Sequence, residues 1–326
     1  MIVINKTVKI VVSVAVLACF FFAGYNWYEI SGYIEHKLSS SRNATYSDNS
    51  LTTRNNGLSL EDSFDTDFET DGFTYSRKGG KAQIMYIDAE KVSVDEDGIL
   101  TVPEKLDGYD VVISDNFWYS LSQQENREKV KGVSLSDVNY VVENNTVYSA
   151  DKTDIYLCFF NDGEFIIPEG VKEIKHHAFA NLSGITSVSF PQSLKASDAF
   201  SFSGCTGLSE VHLHCAPEAV DLLAIGTVQG ETDRYKTSVI TVYSDTVVPV
   251  TWLTRLANAS ETVRVYEPCR QEDYDFYEGV NQEELEELEE FGGYYRLNED
   301  ADPVTLETGF SNDNSELNVT VEFYFE

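Results

Sequence analysis

His212, His214 and Cys215 stand within four positions of one another, the one place where imidazole and thiol groups crowd together in this chain. Such groups bind transition metals, but a site needs three or four ligands in a set geometry. On an extended strand His212 and His214 share a face, opposite Val211 and Leu213. Glu210 is the candidate third ligand on that face. Without it the two imidazoles form either a contact patch for a ligand or a plain solvated sheet face.

A second candidate is acidic. Ser93, Asp95 and Asp97, followed by Gly98 and then Glu104, put oxygens at positions 1, 3, 5 and 12 of a calcium-type loop, with Gly at 6. Against it, position 1 is Ser, Pro103 precedes the would-be bidentate Glu, and neither flank reads as a helix. An Asp97-Gly98 turn entering a strand explains the same residues. The run Asp67, Glu69, Asp71, Gly72 is a poorer match, because its position 12 is Lys78. No nucleophile elbow, P-loop, dinucleotide fingerprint, His-Glu-x-x-His or Cys-x-x-Cys occurs. The expectation is a protein without catalytic residues, cofactor or small-molecule substrate.

Composition narrows the partners. The 326 residues carry 23 Lys plus Arg against 55 Asp plus Glu, a formal net charge of −32. Neutralising phosphates needs basic surface, so nucleic acid is excluded as a partner. Hydrophobic residues make up 42% of the chain and aromatic residues 13%. That is too much apolar content for a chain that stays disordered.

The elements that must position these residues are found by self-similarity. Phe179, Leu182, Ile185, Val188 and Phe190 map without gaps, 23 positions on, onto Phe202, Cys205, Leu208, Val211 and Leu213. Steps of three suit a tight helical or 3₁₀ segment with one buried stripe; the final step of two suits a short strand with one buried face. A unit of this kind cannot bury its stripe alone, and stacked copies can. Apolar pairs two apart extend the series: Leu100/Val102, Val133/Leu135, Phe165/Ile167, Val188/Phe190, Val211/Leu213, Ile240/Val242 and Val263/Val265, at spacings of 33, 32, 23, 23, 29 and 23. In this register one outward row ends in His212, Thr241 and Arg264, and the next in His214, Tyr243 and Tyr266. Aromatic and Arg side chains carry contact energy at interfaces. His212, His214, Tyr243, Arg264 and Tyr266 are therefore the expected ligand-binding residues.

The stretch Phe165-Ile166-Ile167-Pro168-Glu169-Gly170-Val171-Lys172-Glu173-Ile174 leads into Ala178-Phe179, then Leu182, Ile185 and Val188. It resembles the leucine-rich repeat of BspA-like surface proteins. Thr101 to Tyr109 resembles their opening repeat, and Asn145 to Lys152 resembles a recurring insert. The resemblance spans about residues 73–268 and is strongest over 98–214. It implies an extracellular binding or adhesion domain, mostly bacterial, with no catalytic residues to carry over. Two features depart from the pattern: Ser197 fills an apolar slot, and no Ala-Phe element follows Leu213.

The termini differ from the repeats. Lys6 and Lys9 precede the uncharged apolar run Ile10 to Gly24, with Tyr25, Trp27 and Tyr28 behind it. Basic flank, apolar stretch and aromatic belt describe a signal anchor with a cytoplasmic N-terminus. A lipoprotein signal around Cys19 and a cleaved signal peptide are the alternatives. Each places the remainder outside the cytoplasm. Residues 29–72 read as a polar linker. From Gln271 to Glu326 there are eighteen acidic residues and one Arg, with a helix expected over Gln282–Phe291 and a strand over Leu317–Phe325. Cys158 and Cys205 fall in apolar slots and read as buried thiols; a Cys205–Cys215 disulfide stays open. His176 and His177 read as surface residues of a connecting segment.

The expected fold is α+β and β-rich: a membrane anchor (1–28), a linker (29–72), a leucine-rich-repeat solenoid built on the period found above (73–268) and a small acidic capping or interaction subdomain (269–326). The expected function is cell-surface recognition of an extracellular or envelope protein or glycan by a single-pass membrane protein. A structural envelope scaffold is the alternative.

Overall fold

The computed structural model describes residues 65–123, 129–198, 200–222, 225, 237–268, 293–298, 301–312 and 315–325. The expected anchor, Cys19, Cys269 and the helix expected over Gln282–Phe291 lie outside these residues. Among the described residues no helix is long and apolar enough to cross a membrane.

In chain order the first elements are β1 (Asp65–Thr70), β2 (Phe73–Lys78), β3 (Lys81–Ile87), β4 (Ile99–Thr101), β5 (Lys105–Leu106), β6 (Tyr109–Ile113), helix α1 (Asp115–Ser122) and β7 (Gly132–Ser134). They bury Tyr75, Ile84, Leu100, Phe117, Trp118 and Leu121 in one core. Strand β1 pairs antiparallel with β2, so the folded part already includes residues expected to belong to the linker. Helix α1 had no expectation. Its buried Phe117, Trp118 and Leu121 fill one stripe, and Ser120 Oγ accepts the Ile87 backbone N–H at 3.1 Å, pinning it to β3.

Next come β8 (Tyr140–Glu143), β9 (Thr146–Ser149), β10 (Asp154–Cys158), β11 (Gly163–Ile166), β12 (Glu173–Ile174), β13 (Ile185–Phe190), β14 (Ala196–Ser197), β15 (Glu210–Leu213) and β16 (Thr237–Ser244). Helix α2 (Val250–Arg255), β17 (Ser260–Glu267), β18 (Gly293–Asn298), β19 (Val304–Asn312) and β20 (Ser315–Phe325) complete the chain. One period of the repeat places Val188 beside Val211 and Phe190 beside Leu213 in parallel strands. On a second sheet the short strands β10, β12 and β14 form a parallel ladder through Ile155, Ile174 and Ser197. Ser197 is tolerated in that apolar column because its Oγ accepts the Asp221 backbone N–H at 2.6 Å.

The first residue of the spacing-of-three stripe stacks ring on ring across repeats. Phe179 lies on Phe202, both fully buried. His177 and Phe200, also one period apart, both adopt left-handed backbone conformations (φ 57° and 61°) and stack with planes 13° apart. His177 is thus buried, correcting the surface expectation: its turn faces inward, against Phe200 and Tyr119.

Three further expectations are revised. Leu100 pairs with Val133, as expected, but in a two-stranded sheet of their own, β4 with β7. The main sheet has eight strands in the order β11-β13-β15-β16-β17-β20-β19-β18. Within it Val211 pairs with Val242 rather than with Ile240, whereas Ile240 pairs with Val263 as expected. Finally, no separate C-terminal layer stands apart from the sheet among the described residues. Strand β20 adds parallel to β17, and β19 and β18 follow antiparallel. The reason is burial: Val319, Val321 and Phe323 extend the inward row of Val263 and Val265. Helix α2 packs beneath, where Leu253 and Leu256 are buried and Thr254 Oγ1 meets Thr308 Oγ1 at 2.7 Å.

Candidate functional site

Alternation decides what the main sheet shows to solvent. Val211, Leu213, Ile240, Val242, Val263, Val265, Val321 and Phe323 point into the core, so the residues between them must point out. The parallel register then aligns those outward residues across strands. His212 faces Tyr243, Tyr243 faces Tyr266, and Tyr266 faces Tyr324.

The four rings stack. Centroid separations are 4.7 Å for His212–Tyr243, 4.9 Å for Tyr243–Tyr266 and 4.7 Å for Tyr266–Tyr324, with planes 11°, 18° and 13° apart. These spacings match the distance between neighbouring strands, so each ring sits over its own strand. Beside the rings runs a charged row of Glu210, Thr241, Arg264 and Glu322. The Arg264 Nε donates to Glu322 Oε2 at 2.9 Å, and Tyr324 OH donates to the same oxygen at 3.2 Å. Desolvation and the nearby Glu322 carboxylate raise the Tyr324 phenol above its ordinary value. At the far end His212 Nε2 lies 2.6 Å from Glu210 Oε1.

Of the five expected residues, His212, Tyr243 and Tyr266 come together in one line. Arg264 lies one row over. His214 is apart from the rings and pairs instead with Asp245, Nδ1 to Oδ2 at 3.0 Å. The two-residue change in register moves Tyr243 from beside His214 to beside His212. Tyr324 and Glu322 went unrecognised as site residues. The alternation of Leu317 to Phe325 marked a strand, but nothing in it says which neighbour that strand joins.

The metal readings do not assemble. His212 and His214 each face a different carboxylate, and among the described residues no group of three or more His, Cys, Asp or Glu could hold a metal ion. In the acidic loop Asp95 Oδ1 accepts the backbone N–H of Asp97 at 3.0 Å and of Ile99 at 2.8 Å. Glu104 Oε1 accepts from Ser136 Oγ at 3.1 Å. Asp95 and Asp97 therefore build a turn into β4, closed by Gly98 at φ 81°, whereas Glu104 lies beyond that strand and does not join them. Cys158, Cys205 and Cys215 are buried thiols, and no disulfide joins Cys205 to Cys215. Burial pushes the Cys215 thiol up to about 11, with Asp245 and Glu218 adding to the effect.

Residues 155–221 match the family model described as BspA type Leucine rich repeat region (6 copies). The match covers β10 to β15 and begins after β4 and β7, the first two strands of the series. No curated protein and no solved structure matches the chain. The Phe179–Phe202 stack and the Val188–Val211 ladder lie within this match, so the repeat found by spacing is the part of the chain similar to that family.

Proposed function

We propose that this chain is a non-catalytic binding protein of the cell surface, whose repeats stack as a solenoid and whose exposed sheet face engages a macromolecular partner. The single observation behind this reading is the ladder His212–Tyr243–Tyr266–Tyr324. Rings held at strand spacing lose little freedom on binding, and Tyr and Arg dominate interface energetics. Large apolar rings left at a solvated face also cost hydration that a partner would relieve. The apolar run near the N-terminus supports a location outside the membrane for the bulk of the chain, with residues 1–28 as its single-pass anchor.

The test compares full-length protein with a Tyr243→Ala/Tyr266→Ala/Tyr324→Ala variant, both immobilised against envelope and host-surface extracts. A partner retained by the first and lost by the second, with circular dichroism unchanged, is the expected outcome. Equal retention by a folded triple variant would remove the sheet face as the binding surface.

A further inference from the structure

The row of rings ends at a gap. By strand register the outward row runs Ile166, Ser189, His212, Tyr243, Tyr266, Tyr324. Ile166 is 63% exposed, His212 begins the stack, and between them Ser189 contributes only a hydroxymethyl group. Two strand spacings, about 9.5 Å, separate the Ile166 and His212 positions. Atoms in contact lie about 3.5–4.0 Å apart, so one flat group fits over Ser189. It would lie on the His212 face that Tyr243 leaves open, with Ile166 on its other side.

The adjoining row on the same three strands is Glu164, Ser187 and Glu210. Ser187, in that adjoining row, is only 9% exposed and its Oγ is closed off from solvent. Glu164 is exposed, and no ion pair or side-chain hydrogen bond engages its carboxylate among the described residues. Glu210 flanks the other side and contacts His212. Strands β11, β13 and β15 contain no Lys or Arg, within a chain of formal net charge −32. The gap therefore offers a ring face and the Glu164 carboxylate, with Glu210 beside His212 and no Lys or Arg on these strands.

We propose that the gap over Ser189 receives the guanidinium group of an arginine presented by a basic protein partner. A guanidinium is planar, stacks on ring faces, and has five N–H donors and no acceptor. Glu164 accepts it in the two-pronged geometry of arginine–carboxylate pairs. A lysine ammonium has the charge without the plane. A sugar ring has the shape without the charge. The inference rests on the sheet face being the binding surface.

The experiment measures fluorescence anisotropy of a labelled Gly-Ser nonapeptide carrying three arginines, titrated with full-length protein at about 150 mM salt, where long-range attraction is screened. Lysine and citrulline versions of the peptide, cellotetraose and chitotetraose are the comparisons. The expected result is affinity at least ten-fold higher for the arginine peptide than for the lysine or citrulline peptide. Ser189→Tyr, which fills the gap with a fifth ring, should lower that affinity at least ten-fold. Glu164→Gln, at an exposed position, should lower it several-fold and serves alone if Ser189→Tyr does not fold. Absent arginine binding, equal arginine and lysine affinities, or unchanged affinity in folded Ser189→Tyr or Glu164→Gln overturns the proposal, as does oligosaccharide binding abolished by filling the gap. If extract partners still depend on Tyr243, Tyr266 and Tyr324 while arginine shows no preference, the gap fails and the sheet face stands. If neither dependence appears, both fail.

Discussion

The ring of Phe179 lies on that of Phe202, centroids 4.7 Å apart and planes 10° from parallel, although a full repeat of the chain separates them. Each is the same slot of successive repeats, and each has essentially no exposed surface. Phe179→Ala and Phe202→Ala should each cost about 3–5 kcal/mol, the range for deleting a buried aromatic ring. Because they share a stack, the double variant should cost less than the sum. Urea denaturation measures both. A near-zero change for either would show that the two slots are not equivalent.

Two glycines have no room for a side chain. A Cβ at Gly184 would lie 2.2 Å from the Asn161 carbonyl oxygen, and one at Gly207 would lie 2.1 Å from that of Ser183. The two occupy the same slot of successive repeats, where one repeat passes close against the backbone of the repeat before it. Gly184→Ala and Gly207→Ala should each destabilise by about 1–3 kcal/mol, the cost of forcing a close contact apart. Thermal unfolding checks this, and wild-type midpoints would contradict it.

The three buried thiols should resist alkylation. Thiolate is the reactive form, and burial holds Cys215 at about 11, leaving it protonated at pH 8. Iodoacetamide at pH 8, followed by peptide mapping, should leave Cys158, Cys205 and Cys215 unmodified until urea is added. The raised Cys215 value carries a sign. Its stabilising contribution is complete below the ordinary thiol range, about 8.5, and is lost as pH rises toward 11.

Lys175 bridges Asp154 at 2.9 Å and also contacts Glu173, on the short parallel ladder. Partial burial works against the Asp154 carboxylate, but hydrogen bonds from Lys175 and Thr153 outweigh it, holding it below its ordinary value. Its contribution is therefore present above about pH 3.9 and lost as pH falls through the depressed value. Partial burial likewise opposes the Lys175 charge, and its bonds to Asp154 and Glu173 prevail, raising its pKa; that contribution persists until strongly basic pH. Lys175→Met should lower the urea midpoint at pH 7 and 5, with the difference shrinking near pH 3. A constant difference would sever the effect from Asp154.

The amino-acid sequence by itself determined the repeat. Burying one stripe in every coil leaves a periodic trace in residue type, and that trace placed Val188 beside Val211 and Ile240 beside Val263. It also marked His212, Tyr243 and Tyr266 as outward residues, because a change in register of two keeps the face. Which outward residues meet was decided only in three dimensions. The spacing between Val211 and the next apolar pair departs from 23, so counting residues could not fix which of Ile240 and Val242 lies beside Val211. That choice set Val242, not Ile240, against Val211, and put Tyr243 on His212. The same holds for β20: alternation makes a strand in any sheet, and only the uncovered edge of β17 made Tyr324 the fourth ring. His177 likewise looked like surface until its left-handed turn carried it inward against Phe200. Local burial patterns are written in residue order, whereas contacts between distant strands depend on the packing of the whole core.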